Sequence, residues 1–255
     1  MRFASLGSGS RGNALIVEAG RTRVMLDCGF GLKDTQYRLS RLMLQPSDIS
    51  AILVTHEHTD HIGGVARFAR KFGLAVWLTH GTFKSLPGDT FSSIAVELID
   101  DHSLFNIDDL EIQPYPVPHD AREPAQYVLG DGNRRLGVLT DVGASTPHIE
   151  ATLCGCDALM LESNHDSAML RAGSYPPSLK QRVAGKYGHL DNDAAAQLLA
   201  TLAHGKLQHV VAAHLSEKNN QPGLVRAALS TALDCEEGWI AVADQENGLG
   251  WREIA

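Results

Sequence analysis

A short apolar run at 51–55 opens without a linker into His56-Glu57-His58-Thr59-Asp60-His61, and a helical pattern over 62–72 follows and stops at Gly73. This junction constrains the fold more than any other feature. Four groups able to ligate a metal fall within six residues beside a buried strand, where unpaired polar groups are costly. Along an extended chain His56 and His58 point the same way and Asp60 follows them, while His61 points away. The turn into the helix can bring His61 back beside Asp60. The stretch can therefore serve two metals, one through His56 and His58 and one through Asp60 and His61. Imidazole with carboxylate suits Zn²⁺ or Mn²⁺, with Fe²⁺ a third option. The zincin pattern H-E-x-x-H does not apply, because position 60 is Asp and the segment is not helical at that point.

The rest of the chain places further strands at 14–18 and 23–26, around Gly20, and at 75–78. The stretch 91–117 alternates in short steps, and 127–129 with 135–140 reads as a hairpin around Asp131-Gly132-Asn133. Strands are expected at 158–161, 208–213 and 238–243. Helices are expected at 33–43, at 193–202 with Asp191 or Asn192 as cap and Gly205 just past the end, and at 224–233. Strands with helices set between them, repeated in two halves, predict two packed sheets with helices outside, as one domain over 1–255. With 255 residues, 44% of them hydrophobic, the chain can bury a substantial core. No apolar run reaches the roughly 18–20 residues of a membrane-spanning helix. The opening Met1-Arg2-Phe3-Ala4-Ser5 leads into a Gly/Ser turn and does not read as a secretory leader. Four cysteines are too sparse for a disulfide scaffold and read as thiols of a cytoplasmic protein.

Two metals need more ligands. His119 follows a Pro-rich approach, Asp141 ends the apolar strand at 136–140, and His214 ends another at 210–213. Alone, each has an ordinary explanation: loop residue, helix cap, core histidine. Beside the first motif, all three read as ligands at strand ends, where loops gather and build sites.

These residues resemble the metallo-β-lactamase superfamily, whose motif H-x-H-x-D-H is followed by a His, an Asp and a His at strand ends. The match falls on His56, His58, Asp60, His61, His119, Asp141 and His214, and spans nearly the whole chain. The resemblance implies an αββα sandwich, two mixed sheets face to face with helices outside, and a two-metal site at one edge. It implies that Asp141 bridges the metals, with His56, His58 and His119 on the first and Asp60, His61 and His214 on the second. Asp27 is similar to the superfamily's Asp that supports this edge from behind by orienting a ligand histidine. The segments 6–13, 161–166, 188–192 and 214–220 together resemble the YycJ (WalJ) branch, which is associated with 5′→3′ exonuclease action on DNA. That branch usually has Ser where this chain has Asp191.

The same segments suit phosphate chemistry. The Gly/Ser loop at 7–12 can present backbone N–H groups to an anion. Although the chain carries 22 basic against 30 acidic residues, a net −8 that excludes a globally basic nucleic-acid coat, the stretch 167–190 carries Arg171, Lys180, Arg182 and Lys186 with no carboxylate. With Tyr175 and Tyr187 it reads as a local stripe for a nucleic-acid backbone or a stacked base. His189, Ser216, Lys218, Asn219 and Asn220 are candidates to bind substrate, with capping and turn formation as the plain alternative. Asn164 and His165 follow a strand that points to the same edge, Asn164 to brace a ligand and His165 to face substrate.

The expected reaction is hydrolysis of a DNA phosphodiester by a hydroxide shared between two metals. Asp60, Asp141 and His189 are the catalytic candidates, with Lys218 a further group to steady developing charge. A hydrolase of a small ester, thioester or lactam is the alternative. A non-catalytic metal-binding module is a third reading, and lost ligands would be its signature; none is lost. Cys154 and Cys156 lack a partner pair, and His80, His148, His204 and His209 read as surface or packing residues.

Overall fold

Antiparallel strands need only tight turns, and the chain begins that way with β1 (Arg2–Gly7), β2 (Ala14–Ala19) and β3 (Thr22–Leu26). Parallel strands need crossovers, which helices supply. The helix α1 (Leu32–Arg41) leads to β4 (Ala51–Leu53). Then α2 (Thr59–Ile62) and α3 (Val65–Phe72) lead to β5 (Ala75–Thr79), and α4 (His80–Ser85) to β6 (Val96–Ile99).

The second half repeats the plan. The strands β7 (Phe105–Ile107), β8 (Leu110–Pro116), β9 (Ala125–Gly130) and β10 (Arg135–Leu139) are antiparallel. After α5 (Pro147–Leu153) comes β11 (Ala158–Glu162). Next, α6 (Ser167–Ala172), α7 (Pro177–Val183) and α8 (Asn192–Leu202) lead to β12 (His209–Ala213), and α9 (Pro222–Leu233) to β13 (Ala241–Val242), all parallel to β10. Finally β14 (Leu249–Glu253) returns to pair with β1. The computed structural model, which describes residues 1–255, thus has two seven-stranded mixed sheets. Their orders are β14-β1-β2-β3-β4-β5-β6 and β13-β12-β11-β10-β9-β8-β7.

Period-2 alternation decides the layers. Val24, Leu26, Leu53, Met160 and Val211 point between the sheets with Phe3, Leu110 and Tyr127. Their strand neighbours point outward. Met25 and Ile52 pack on Leu39 of α1 and Phe68 of α3. Leu159 and Val210 pack on Leu198 of α8 and Leu229 of α9. Both faces of the central strands are covered, which is why these strands read as continuous apolar runs. The result is the expected αββα sandwich.

Several expectations shift in detail. The strands β1 and β14 were not expected, because β14 pairs with the far end of the chain and its exposed positions break the apolar pattern. The helix expected at 62–72 begins at Val65, and a separate short helix starts earlier, at Thr59, so that Asp60 and His61 are helical where the sequence reads as non-helical; Gly63 and Gly64 divide the two. The strand expected at 238–243 is a 3₁₀ turn followed by the two-residue β13. Asp191 is the N-cap of α8, accepting from Ala194 N at 2.8 Å. Aspartate thereby does the capping that a serine would do at this position. The Asp131 turn joins β9 to β10 as expected, with Asp131 Oδ1 accepting from the backbone of Asn133 and Arg134.

All four cysteines are free thiols, and their burial differs. Burial pushes Cys28 and Cys156 up to about 11, while Cys154 is exposed. Native protein treated with iodoacetamide near neutral pH should therefore carry label at Cys154 first. Cys28 and Cys156 should react only after denaturation, as read by peptide mass spectrometry. Rapid native labelling of Cys28 would contradict this packing.

Candidate metal centre

The site forms where the parallel strands of both sheets end. Asp27 directly follows β3, His214 directly follows β12, and Asp141 lies two residues beyond β10. All three adopt left-handed backbone, with φ of 60°, 55° and 54° for Asp27, His214 and Asp141. Such residues cost of order 1–3 kcal/mol each and persist where the surroundings fix them. Backbone contacts press the ligand loop onto β3: Asn13 N donates to Asp60 O, and Cys28 N to His61 O, both at 2.8 Å. A Cβ at Gly29 would lie 1.8 Å from Asp60 O, so only glycine fits there.

Two buried carboxylates hold the histidines. In the first sheet Asp27 accepts from Thr55 N at 2.9 Å and Thr55 Oγ1 at 2.8 Å, and lies 2.7 Å from His61 Nδ1. The Thr55 hydroxyl has spent its proton on Asp27, so it accepts from His56 Nδ1 at 2.9 Å. In the second sheet one oxygen of Glu162 lies 3.0 Å from His214 Nδ1 and 2.9 Å from His189 Nδ1. His119 Nδ1 faces the carbonyl of Gly188 at 3.2 Å. Each Nδ1 thus carries the proton, and Nε2 of His56, His61, His119 and His214 is left with a lone pair.

Those lone pairs converge. His58 Nδ1 is 3.0 Å from His56 Nε2 and 3.2 Å from His119 Nε2. Asp60 Oδ2 is 3.5 Å from His61 Nε2 and 3.4 Å from His214 Nε2. Between these two sets lies Asp141, with Oδ2 3.1 Å from His61 Nε2 and Oδ1 3.6 Å from His214 Nε2 and 3.8 Å from His119 Nε2. Asp141 Oδ2 is buried and aimed at the ring edge of His61, with no other polar partner. Acceptors facing acceptors at these separations repel unless a cation lies among them. His56, His58 and His119 form one group able to hold a metal ion, and Asp60, His61 and His214 another. The donor set is nitrogen and carboxylate oxygen without sulfur, which fits Zn²⁺, Mn²⁺ or Fe²⁺.

The electrostatics agree. Burial holds His56 well below the ordinary histidine value, with His61 adding to the effect, and burial lowers His119. Burial opposes charge on Asp141 and Asp60, but neighbouring His214 and His61 keep both carboxylates well below their usual range. With protons alone to balance them, His214 is driven up to about 10 against its burial, by Asp141, Asp60 and Glu162. His61 is likewise raised, by Asp141 and Asp27. The pocket demands positive charge, and a divalent cation can supply it in place of protons.

Of the candidates beyond the seven motif residues, the structure brings some to the site and not others. Asp27 stands behind His61 as described. Asn164 Nδ2 donates to His214 O at 2.9 Å and braces that left-handed residue. His189 lines the cavity of about 400 Å³ over the site. His165, Ser216, Lys218, Asn219 and Asn220 are not on its wall. Ser216 and Asn219 are buried and bonded to each other, and Asn220 bonds Asn192 and Ser163 O. Their capacity to close turns has been used inside the chain. His165 is buried with Nδ1 unpartnered. Lys218 lies outside the cavity, its Nζ 5.6 Å from the centre of the Tyr175 ring. The basic stripe folds as α6 and α7, and only Arg182 among its cations reaches the cavity, ion-paired with Asp120 at 2.5 Å.

Sequence reasoning missed Glu162. Its fully buried carboxylate also accepts from the backbone N–H groups of Asp141, Val142 and Leu190 at 3.0–3.1 Å. Burial opposes its charge, yet His189 and His214 hold it down at about 2. The signal was present: an ionisable residue closing the apolar strand β11 has to be paired. Asn13 was missed too; its Nδ2 lies 3.1 Å from His61 Nε2.

Replacing Asp27 with Asn should keep the fold but remove the negative charge, and with the amide oxygen kept on Thr55 N the side chain turns an NH₂ toward His61 Nδ1 in place of the acceptor that fixes the tautomer. Supporting carboxylates of this kind are worth about 10–100-fold in metal affinity. Competition against a chromophoric chelator should show a loss of that size, and unchanged affinity would refute the role given to Asp27.

The model of the beta-lactamase superfamily domain matches residues 22–214. The chain is similar to "Exodeoxyribonuclease YycJ" of Bacillus anthracis, 35% identical over 245 residues, covering 94% of this chain and 91% of the relative. It is similar to "Exodeoxyribonuclease WalJ" of Streptococcus pneumoniae, 30% identical over 236 residues, covering 91% and 88%. Among solved structures, Zn²⁺-bound PqqB from Methylobacterium extorquens superposes with a TM-score of 0.74 over 100% of both chains at 18% identity, a likeness of fold.

Proposed function

The chain belongs to the metallo-β-lactamase superfamily and is a divalent-metal-dependent hydrolase, and from that premise we propose that it is a two-metal phosphodiesterase acting 5′→3′ on DNA. The observation that carries the reading is the end-to-end similarity to YycJ and WalJ exodeoxyribonucleases, in a chain whose seven metal-ligand candidates cluster at one site. The free thiols suit a cytoplasmic enzyme.

His56, His58 and His119 would hold one metal and Asp60, His61 and His214 the other, with Asp141 shared. Two such ions, when bound, supply Lewis acidity and a water acidified toward neutral pH. The chain's own residues do the rest. Asp27, Thr55, Gly188 and Glu162 keep the ring protons on Nδ1, so that each Nε2 faces the centre. His189 is the one histidine of the cavity wall outside the ligand sets. Burial disfavours its charge, but Glu162 and then Asp141 raise its pKa. With Nδ1 held by Glu162, Nε2 is left to donate to the oxygen on which negative charge develops as the P–O bond breaks. Glu162 is a positioning residue in this scheme.

A second reading, a hydrolase of a small ester, thioester or lactam, draws on one observation: the only basic side chain of the stripe in the cavity is already neutralised by Asp120. The deciding experiment loads the protein with Mn²⁺ or Zn²⁺ and offers 3′-labelled DNA, bis(p-nitrophenyl) phosphate and a thioester. Stepwise loss of nucleotides, abolished in Asp60→Ala, is the expected result. Thioester turnover with DNA untouched would move the protein to the second reading.

The proton-donor role has its own test. His189→Ala should slow DNA hydrolysis by about 10²–10⁴-fold, the usual size of general acid catalysis. It should slow bis(p-nitrophenyl) phosphate far less, because p-nitrophenolate leaves without a proton. Equal losses on both substrates would contradict the role.

A further inference from the structure

The cavity above the metal centre is lopsided. Its floor is the ligand set, and one wall is the segment from Tyr175 through α7. Tyr175, Leu179 and Val183 present half-buried apolar side chains to the cavity, which is unusual beside so polar a floor. The lining of this wall holds no unpaired arginine or lysine for a phosphate. Arg182, the one arginine or lysine that lines the cavity, is bound to Asp120, while Lys180 and Lys218 lie outside the lining, Lys218 with Nζ 5.6 Å from the centre of the Tyr175 ring. A surface with a phenol ring, two aliphatic side chains and a neutralised guanidinium reads a flat apolar ligand face, not a phosphodiester backbone. At about 400 Å³ the cavity lies at the small end of ligand pockets, roughly 300–1,000 Å³.

Resting on the nuclease reading above, we infer that Tyr175, Leu179 and Val183 hold the base of one unpaired terminal nucleotide while its phosphate lies over the metal centre, so that the substrate is a single-stranded end. A base still paired would carry its complement into α7. Tyr175 stacks on the base, and Leu179 and Val183 cover its edge. Because every base has a π-face, the pocket distinguishes unpaired from paired ends without reading sequence. Asp120 has a part in this: by occupying Arg182, it keeps the wall from drawing the phosphate away from the metals.

Two measurements test this together. The first uses the protein in chelator, with a single-stranded oligonucleotide ending 5′ in 2-aminopurine, whose fluorescence is quenched by stacking. Wild type and Tyr175→Phe should quench the probe, and Tyr175→Ala should not. The second uses Mn²⁺-loaded protein with a normal oligonucleotide and one whose 5′ residue is abasic. The abasic end should lower kcat/KM of the wild type roughly tenfold, in the range of one lost base stack. Tyr175→Ala should show the same loss on the normal oligonucleotide and no further loss on the abasic one. Equal wild-type rates on the two ends, or a Tyr175→Ala loss that is as large on the abasic end, would overturn the inference and leave the nuclease reading intact. If the loaded wild type cuts neither oligonucleotide, the nuclease reading fails and this inference falls with it.

Discussion

Everything at the metal centre depends on two buried carboxylates, one at the end of a central strand in each sheet. Asp27 closes β3 and Glu162 closes β11. Each accepts a hydrogen bond from Nδ1–H of inward-facing histidines, Asp27 from His61 and Glu162 from His214 and His189. Without that hold the imidazoles could turn or change tautomer, and the lone pairs would not meet. Each carboxylate also ties neighbouring strand ends together through backbone N–H groups. The fold and the site therefore share the same bonds: the sandwich brings two strand edges together, and the carboxylates convert that meeting into a fixed set of ligands.

The arrangement is costly for a protein without bound metal. Buried anions and lone pairs crowd one edge, and three residues there hold left-handed backbone. The three apolar layers behind the edge supply the opposing stability. The strands that carry the strained residues are among the most buried in the molecule, with apolar neighbours on both faces. Rigid strands under a strained rim fit a centre whose ligands must not relax toward one another.

Much of this was legible in the sequence because metal ligation needs particular side chains at particular spacings. His56, His58, Asp60 and His61 announce themselves in one stretch, and the apolar runs before Asp141 and His214 mark strand ends. The layer order followed from the alternation of runs and helical patterns. What was not legible depended on distant partners. The strand β14 is a strand because β1 lies beside it. At the end of an apolar run Glu162 shows only that it must be paired; its partners appear once β11 lies between β10 and β12. Ser216, Asn219 and Asn220 look like phosphate ligands in one dimension, but they are buried and bonded within the chain. The stripe at 167–190 reads as basic by composition, whereas the fold pairs Arg182 with Asp120 and turns apolar side chains to the cavity.

The central claim is that two separate ligand sets, joined by Asp141, hold two cations. Metal content per chain tests it most directly. Protein loaded with Zn²⁺ or Mn²⁺, freed of loose ions by dialysis and analysed by inductively coupled plasma mass spectrometry, should carry two equivalents. His119→Ala should lose one and keep the other. A wild-type protein that saturates at a single equivalent would contradict the account.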